Sequence, residues 1–140
     1  MSTRSTLLRN QVLNSYNALL ILGAGDNPTL RFRTSTHADL MVVLLHATIP
    51  MDTASSGEAS MLRPSSETWV DYEQSPTANG TCTEVCLCDK DGTVHETFSV
   101  GEAESGEEFI VASVVFNTAI PQKFTAAPKV VQRASYDPTP

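Results

Sequence analysis

The stretch that decides the fold is residues 38–50, with the sequence ADLMVVLLHATIP. One face of this apolar run holds Leu40, Val42 and Leu44, and the other holds Met41, Val43, Leu45, Ala47 and Ile49. The run is too short to span a membrane. An apolar run with two apolar faces that ends at a proline predicts a central strand covered on both sides. His46 inside it is then expected to need a hydrogen-bond partner rather than a substrate.

The size and charge of the chain limit the classes of protein to which it can belong. Its 140 residues correspond to one domain that is long enough to bury a core. Apolar residues make up 41% and charged residues 18% of the chain, which is typical of a globular protein. The net charge of −7 argues against a nucleic-acid-binding surface, because phosphate binding needs clustered lysine and arginine. We therefore expect neither nucleic acid nor membrane as a partner.

The cysteines and the N-terminal region indicate the compartment in which the chain folds. Three cysteines are an odd number and do not form a disulfide framework. The short apolar stretch at residues 18–24 lacks the basic region that precedes the apolar part of a signal peptide. We therefore expect folding in a reducing cytosol.

Residues 5–22 are predicted to form the one helix of the chain. Apolar side chains recur there at near four-residue spacing, at Leu8, Val12, Tyr16 and Leu19. Ser5 is a candidate N-cap, as are Ser2 and Thr3, and Gly23 is a natural helix stop. The polar side of the helix holds Asn10, Asn14 and Asn17. The apolar side is expected to pack on the β-domain or on a neighbouring subunit.

Apolar patterns after the helix predict about eight short strands. The stretches concerned are residues 29–35, 38–50, 58–62, 67–72, 81–88, 93–100, 109–120 and 123–132. Short strands separated by turn signals indicate a mainly β fold, a single-domain β-sandwich or jelly roll with one N-terminal α-helix. We divide the chain into an N-terminal helix and turn (residues 1–24), a β-sandwich domain (residues 25–133) and an extended C-terminal tail (residues 134–140).

The clearest hairpin has a turn with the sequence Asp-Lys-Asp-Gly at residues 89–92. With these four residues as the loop, Cys88 lies opposite Thr93, Leu87 opposite Val94 and Cys86 opposite His95. In the second long apolar run, residues 109–120, one face holds Ile110, Ala112, Val114, Phe116 and Ile120. This run is expected to pair with the central strand or to lie in the facing sheet.

The hairpin also carries three cysteines, Cys82, Cys86 and Cys88, close to His95. Zinc needs four ligands at about 2.0–2.3 Å, whereas Cys86 and Cys88 lie about 6.6 Å apart along an extended strand. A nucleophile pair of Cys86 and His95 lacks an orienting carboxylate and an oxyanion loop in the local sequence. We therefore interpret the cysteines as buried free thiols and expect no catalytic residue, no metal and no cofactor.

Several segments follow one another in a recognisable order. They are a helix (residues 7–20), an extended segment (29–35), an apolar strand (38–50), a small-residue stretch (54–61), the Asp91-Gly92 turn, the Val100-Gly101 step and a late strand before a proline (111–121). This order resembles that of a group of small virion-structural proteins of tailed bacteriophages, over most of the chain. The cysteine-rich hairpin and the acidic loop at residues 102–108 depart from the group's pattern.

The resemblance implies a structural component of a phage particle rather than an enzyme. The leading hypothesis is a capsid decoration or cement protein that lies on the head surface of the virion and is made in the host cytoplasm. The implied partners are the major capsid protein and copies of the chain itself, as a dimer or trimer. One alternative is a tail or receptor-binding component, with Trp69 and Tyr72 as candidate glycan-stacking residues. A metal- or thiol-dependent enzyme built on the cysteines is a third hypothesis.

Both ends of the chain are suited to contacts with neighbouring subunits. The predicted contact residues are Leu7, Leu8, Val12 and Tyr16 on the helix and Tyr136 in the tail. Large apolar and aromatic side chains of this kind anchor protein interfaces. Weak contacts that are repeated over a symmetric shell add through multivalency.

Overall fold

The computed structural model describes residues 2–132 and 135–136. Within them the chain forms two short helices, α1 (Thr6–Asn14) and α2 (Tyr16–Leu20), and thirteen short strands. The strands are β1 (Ser2–Thr3), β2 (Thr29–Arg33), β3 (Asp39–Leu44), β4 (Glu58–Ser60), β5 (Glu73–Gln74), β6 (Gly80–Thr81), β7 (Glu84–Cys88), β8 (Val94–Gly101), β9 (Phe109–Ile110), β10 (Val115–Phe116), β11 (Gln122–Lys123), β12 (Lys129–Val131) and β13 (Ser135–Tyr136). The prediction of a mainly β, sandwich-like domain with an N-terminal helical region is confirmed. No helix in this part of the chain is long and apolar enough to cross a membrane.

The main sheet has five strands in the order β3-β2-β7-β8-β9. Its first four strands are antiparallel to their neighbours, and β9 runs parallel to β8. The other strands pair in twos, as β1 with β13, β4 with β12, β5 with β11 and β6 with β10. Buried side chains from the main sheet and from the short pairs form one hydrophobic core.

The core is centred on β2, which lies between β3 and β7. Leu30 and Phe32 of β2 have no exposed surface. The ring centroid of Phe32 lies 5.5 Å from that of Phe109 and 5.8 Å from that of Phe116. A fourth ring, Phe124, lies 6.4 Å away. Strand β2 is therefore the central strand of the fold.

The prediction of a central strand at residues 38–50 is wrong. Strand β3 covers only the first part of this run and lies at an edge of the main sheet. Its free edge is covered, because the Thr77 amide donates to the Leu40 carbonyl at 2.8 Å and Gln74 Nε2 donates to the Val42 carbonyl at 2.7 Å. Leu44 is 48% exposed. An edge strand that is covered in this way has the same apolar pattern as a central one.

The chain turns after β3 at His46. Its Nδ1 accepts hydrogen bonds from the amides of Thr48 and Ile49, both at 3.2 Å. This confirms the expectation that His46 has a hydrogen-bond partner within the protein. The turn also explains why the strand ends before Pro50 is reached.

The hairpin of β7 and β8 forms, but its predicted register is wrong. The observed pairs are Cys88 with Val94, Leu87 with Glu96 and Cys86 with Thr97. Two features cause the difference. Thr93 belongs to the turn, because Cys88 pairs with Val94, and a bulge then leaves His95 as an additional residue of β8 without a partner in β7. The Nε2 atom of His95 lies 2.9 Å from Asp89 Oδ2 instead.

Asp89 organises the turn that precedes this bulge. Its Oδ1 accepts hydrogen bonds from the amides of Asp91 at 2.9 Å and Thr93 at 3.0 Å. Burial opposes ionisation of the carboxyl group, but the hydrogen bonds from His95 and from the two amides outweigh it. The pKa of Asp89 is therefore lowered. The ionised carboxylate fixes both the turn and the bulge.

Replacing Asp89 with asparagine is expected to lower the free energy of unfolding by about 1–2 kcal/mol near neutral pH and by much less in acid. Because the pKa of Asp89 is lower in the folded state, the unfolded state binds more protons as the pH falls through 3.8. The contribution of the carboxylate is present above that pH and is lost below it. Chemical denaturation of both proteins across this pH range measures the difference. An equal difference at all pH values would contradict the prediction.

The second long apolar run, residues 109–120, is not one strand. It forms the two-residue strands β9 and β10, separated by a turn in which the Ser113 carbonyl accepts from the Gln122 side chain. Phe109 and Val111 are buried, whereas Ile110 is 49% exposed. Of the face that was expected inside, Phe116 is buried but Ile120 is 62% exposed. The alternating pattern fails here because the chain turns within the run.

The predicted strand at residues 67–72 is also absent from the part of the chain that the structure describes. Residues 64–66 form a 3₁₀ turn, and a second turn follows in which the Tyr72 amide donates to the Trp69 carbonyl at 3.1 Å. These turns orient Trp69 inward, where it is 4% exposed and its Nε1 donates to the Met61 carbonyl at 2.9 Å.

Candidate functional site

The predicted helix at residues 5–22 is interrupted at Ser15. The Ser15 hydroxyl donates to the Val12 carbonyl at 2.6 Å, and side-chain bonds of this kind compete with the helical backbone. α1 therefore ends one residue before Ser15 and α2 begins one residue after it. The N-cap is Ser5, whose hydroxyl accepts from the Leu8 amide at 3.1 Å, as predicted.

One side of this helical region is attached to the β-domain by apolar burial. Leu13 and Leu20 have no exposed surface and belong to the hydrophobic core. On the predicted apolar side, Leu8 and Leu19 are 50% and 43% exposed. Of the two predicted destinations of the apolar side, the β-domain therefore receives Leu13 and Leu20 but not Leu8 and Leu19, for which packing on a neighbouring subunit stays a prediction.

The same inward side carries three asparagines, which we call the asparagine ladder: Asn10, Asn14 and Asn17. Their Oδ1 atoms accept from the amides of Gly57 at 2.8 Å, Ala54 at 2.9 Å and Met51 at 2.9 Å, in that order. Asn17 Nδ2 also donates to the Met51 carbonyl at 3.0 Å. The spacing of four and three residues places these side chains on one helix face. The polar side of the helix thus faces the protein and holds the loop at residues 51–57.

The consequence is a set of large apolar side chains on the outside, which we call the helical strip. Its exposed fractions are 70% for Leu7, 50% for Leu8, 43% for Leu19, 38% for Ile21 and 52% for Leu22. An ordinary surface helix has the opposite pattern, with its apolar side on the core. Exposed apolar side chains grouped in one part of a protein are typical of contacts with another molecule.

The structure places the predicted contact residues in three environments. Leu7 and Leu8 lie in the helical strip. Val12 and Tyr16 are partly buried, and the Tyr16 hydroxyl donates to Glu96 Oε2 at 2.7 Å. Burial first, and then the hydrogen bond and charge of Glu96, raise the pKa of Tyr16. Tyr16 is thereby fixed to β8.

Tyr136 lies in β13, whose backbone pairs with β1 through Ser2. Its side chain is not among those that the structure describes. Of the predicted tail, residues 134 and 137–140 lie outside the described residues. The backbone pairing nevertheless brings residues 135–136 beside residues 2–3, which lead into α1.

The C-terminal end of the helical region is attached to the hairpin turn. The Lys90 amide donates to the Leu22 carbonyl at 3.0 Å, and the Ala24 amide donates to Asp91 Oδ1 at 2.9 Å. A Cβ atom on Gly25 would lie 2.1 Å from the Lys90 carbonyl oxygen. Gly25 is therefore required for this close approach.

The three cysteines are buried free thiols. Cys86 Sγ lies 3.8 Å from the Thr97 hydroxyl, and His95 is bonded to Asp89, so the predicted opposition of Cys86 and His95 does not occur. Burial raises the pKa of Cys82 to about 11, which keeps its thiol protonated at neutral pH. No cluster of three or more metal-binding side chains is found within residues 2–132.

The aromatic residues of the receptor-binding alternative lie in or beside the core. Trp69 is buried, and the guanidinium of Arg63 lies 3.5 Å from the ring centroid of Tyr72. Two aromatic rings also lie against Tyr72, the Phe124 ring stacked at 5.8 Å and the Trp69 ring edge-on at 6.2 Å. The faces of these aromatic rings are occupied by other side chains of the protein, so they do not form an open platform for a sugar.

Comparison of the chain with protein-family profiles, with curated protein sequences and with solved structures gave no match.

Proposed function

We propose that the chain is a structural protein of a tailed-bacteriophage virion, a capsid decoration or cement protein that bridges capsid subunits on the head. The observation that carries the proposal is the helical strip, whose side chains are apolar and exposed. The helices that carry it are attached to the β-domain by the asparagine ladder and by the buried Leu13 and Leu20. The order of segments along the chain, which resembles small phage virion proteins, adds support.

The proposed contact uses the apolar area of the helical strip. Burying one leucine or isoleucine side chain contributes about 1.5–3 kcal/mol, so a few of them give a modest contact per copy. Copies on a symmetric shell add these contacts through multivalency. The net charge of −7 favours a basic patch on the partner. The proposed partners are the major capsid protein and further copies of the chain.

A test of this proposal is the binding of the purified chain to expanded heads that lack it. Wild-type protein is expected to decorate these heads in hundreds of copies. Leu8→Glu combined with Leu22→Glu is expected to reduce binding by about tenfold or more, because two apolar contacts are replaced by charges. Sedimentation of heads with bound protein measures the occupancy.

A control is Ile120→Glu, which places a charge at an apolar residue outside the helical strip that is 62% exposed, more than Leu8 or Leu22. This variant is expected to bind heads like the wild type. Labelling of host cells without binding to heads would favour the tail or receptor-binding alternative. Binding to neither, or an equal loss in the control, would overturn the proposed role of the helical strip.

A further inference from the structure

The outward face of the helical region is apolar at both ends and small in the middle. Leu8, Ser15 and Leu22 recur at seven-residue spacing, which is two helical turns. Leu19 and Ala18 each lie three or four residues from Ser15 and Leu22, and this spacing keeps them on the same face. All five of these residues are exposed. The exposed leucines therefore lie seven residues to either side of a small central side chain.

The helical path continues through the break at Ser15. This residue keeps right-handed helical backbone angles, with φ −71° and ψ −17°, and its amide donates to the Gln11 carbonyl at 3.2 Å. At the far end, the Leu22 amide donates to the Leu19 carbonyl at 3.2 Å. The Ser15 hydroxyl already donates to the Val12 carbonyl, so covering it with another molecule leaves no donor unpaired.

This face is nearly free of charge. Residues 10–25 contain no aspartate, glutamate, lysine, arginine or histidine. Next to their end lie Lys90 and Asp91 of the hairpin turn, whose charges are opposite. Two copies with a net charge of −7 each repel one another, and the repulsion is least where uncharged surfaces meet. A basic patch on another protein would find no acidic side chain along this stretch, so a second copy of the chain fits it better.

We infer that the helical strip binds the same strip of a second copy, with the two helical regions antiparallel around a twofold axis at Ser15. Leu8 of one copy then lies against Leu22 of the second copy, because both are seven residues from Ser15. Ser15 and Ala18 let the two backbones approach at the axis, and the leucines fill the space at both ends. A twofold contact uses one surface on both partners, as this spacing requires. The inference rests on the proposed function, which makes the strip a contact surface.

The expected dimer is weak, because five partly exposed side chains provide less area than the roughly 800 Å² per partner of a standard interface. Without heads, the free chain is expected to be monomeric at about 1 µM and mainly dimeric at about 1 mM. Sedimentation equilibrium measures this change. Leu8→Glu combined with Leu22→Glu is expected to weaken dimerisation by about 100-fold or more, whereas the control Ile120→Glu is expected to leave it unchanged.

A cysteine in place of Ser15 tests the position and direction of the axis. The three native cysteines are buried, so they do not compete for the oxidant. With diamide as oxidant, Ser15→Cys is expected to form a disulfide-linked dimer, since the two thiols meet at the axis. The matched control is Gln11→Cys, on the same exposed face. Its two thiols would lie about 12 Å apart along antiparallel helices, which is too far for a disulfide.

The linked dimer also separates this inference from the proposed function. If the strip joins copies on the head, the linked dimer is expected to bind heads at least as tightly as the wild type. A linked dimer that forms but does not bind heads would overturn the proposed function and leave the pairing intact. A free chain that stays monomeric at about 1 mM, or cross-linking at residue 11 as fast as at residue 15, would overturn the inference. Head binding by such a chain would leave the proposed function intact.

Discussion

Replacing Phe32 with alanine is expected to lower the free energy of unfolding by about 3–5 kcal/mol. Phe32 has no exposed surface and contacts three other aromatic rings, Phe109, Phe116 and Phe124. The substitution removes buried apolar area and leaves a cavity among rings that cannot all close in. Since small domains are stable by only about 5–15 kcal/mol, a loss of this size is a large part of the total stability. Equilibrium denaturation in urea, followed by the fluorescence of the buried Trp69, measures the change.

The matched control for this prediction is Ile120→Ala, which shortens an apolar side chain that is 62% exposed. It is expected to change the free energy of unfolding by less than about 0.5 kcal/mol. If the Phe32 variant were no less stable than this control, β2 would not be the centre of the core.

The fold class could be predicted because alternation in the sequence reports burial directly. Leu30 and Phe32 alternate with two arginines, and the structure buries both apolar side chains in β2. The same reasoning predicted the wrong position in the sheet for residues 38–50. Hydrophobicity shows that a strand is covered, but it does not show whether the cover is another strand or a loop. There the cover along the free edge is supplied by Thr77 and Gln74, which are distant in sequence from the strand they bond.

The hairpin shows a second limit of the sequence pattern. The turn at residues 89–92 was located from its Asp-Gly step. The register of β7 against β8 depended in addition on how many residues each strand contributes next to the turn. The Asp89 side chain bonds the Thr93 amide, which lies in the turn, and His95, which is the additional residue of β8. A bulge set by one side-chain bond has no signature in the alternation of apolar residues.

The candidate site was half predictable from the sequence. Leu7 and Leu8 were predicted to be contact residues, and the structure shows that they are exposed, as such residues must be. The asparagine ladder was missed because asparagine at helix spacing is usually a solvent-facing residue. The available signal was the spacing of four and three residues, together with a loop of small residues at 51–57. Amide side chains can bond a loop backbone that has no other partner.

Replacing Asn17 with alanine is expected to lower the free energy of unfolding by about 2–4 kcal/mol. Asn17 bonds both the amide and the carbonyl of Met51, and Met51 is 1% exposed. The substitution would leave two buried backbone groups without these partners. It would also release the start of the loop at residues 51–57 from the helical region, while Asn14 and Asn10 still accept from Ala54 and Gly57.

Two measurements separate this effect from a general loss of stability. Urea denaturation gives the total change, and amide hydrogen exchange is expected to increase most at residues 51–57. The control Gln11→Ala, on the exposed side of α1, is expected to leave both unchanged. Asn17 is not part of the helical strip, so its loss leaves those exposed side chains in place. On the proposed function, its loss is also expected to weaken head binding, because the helices that carry the strip are then held less firmly on the β-domain. Unchanged exchange at residues 51–57 would show that the ladder does not hold this loop.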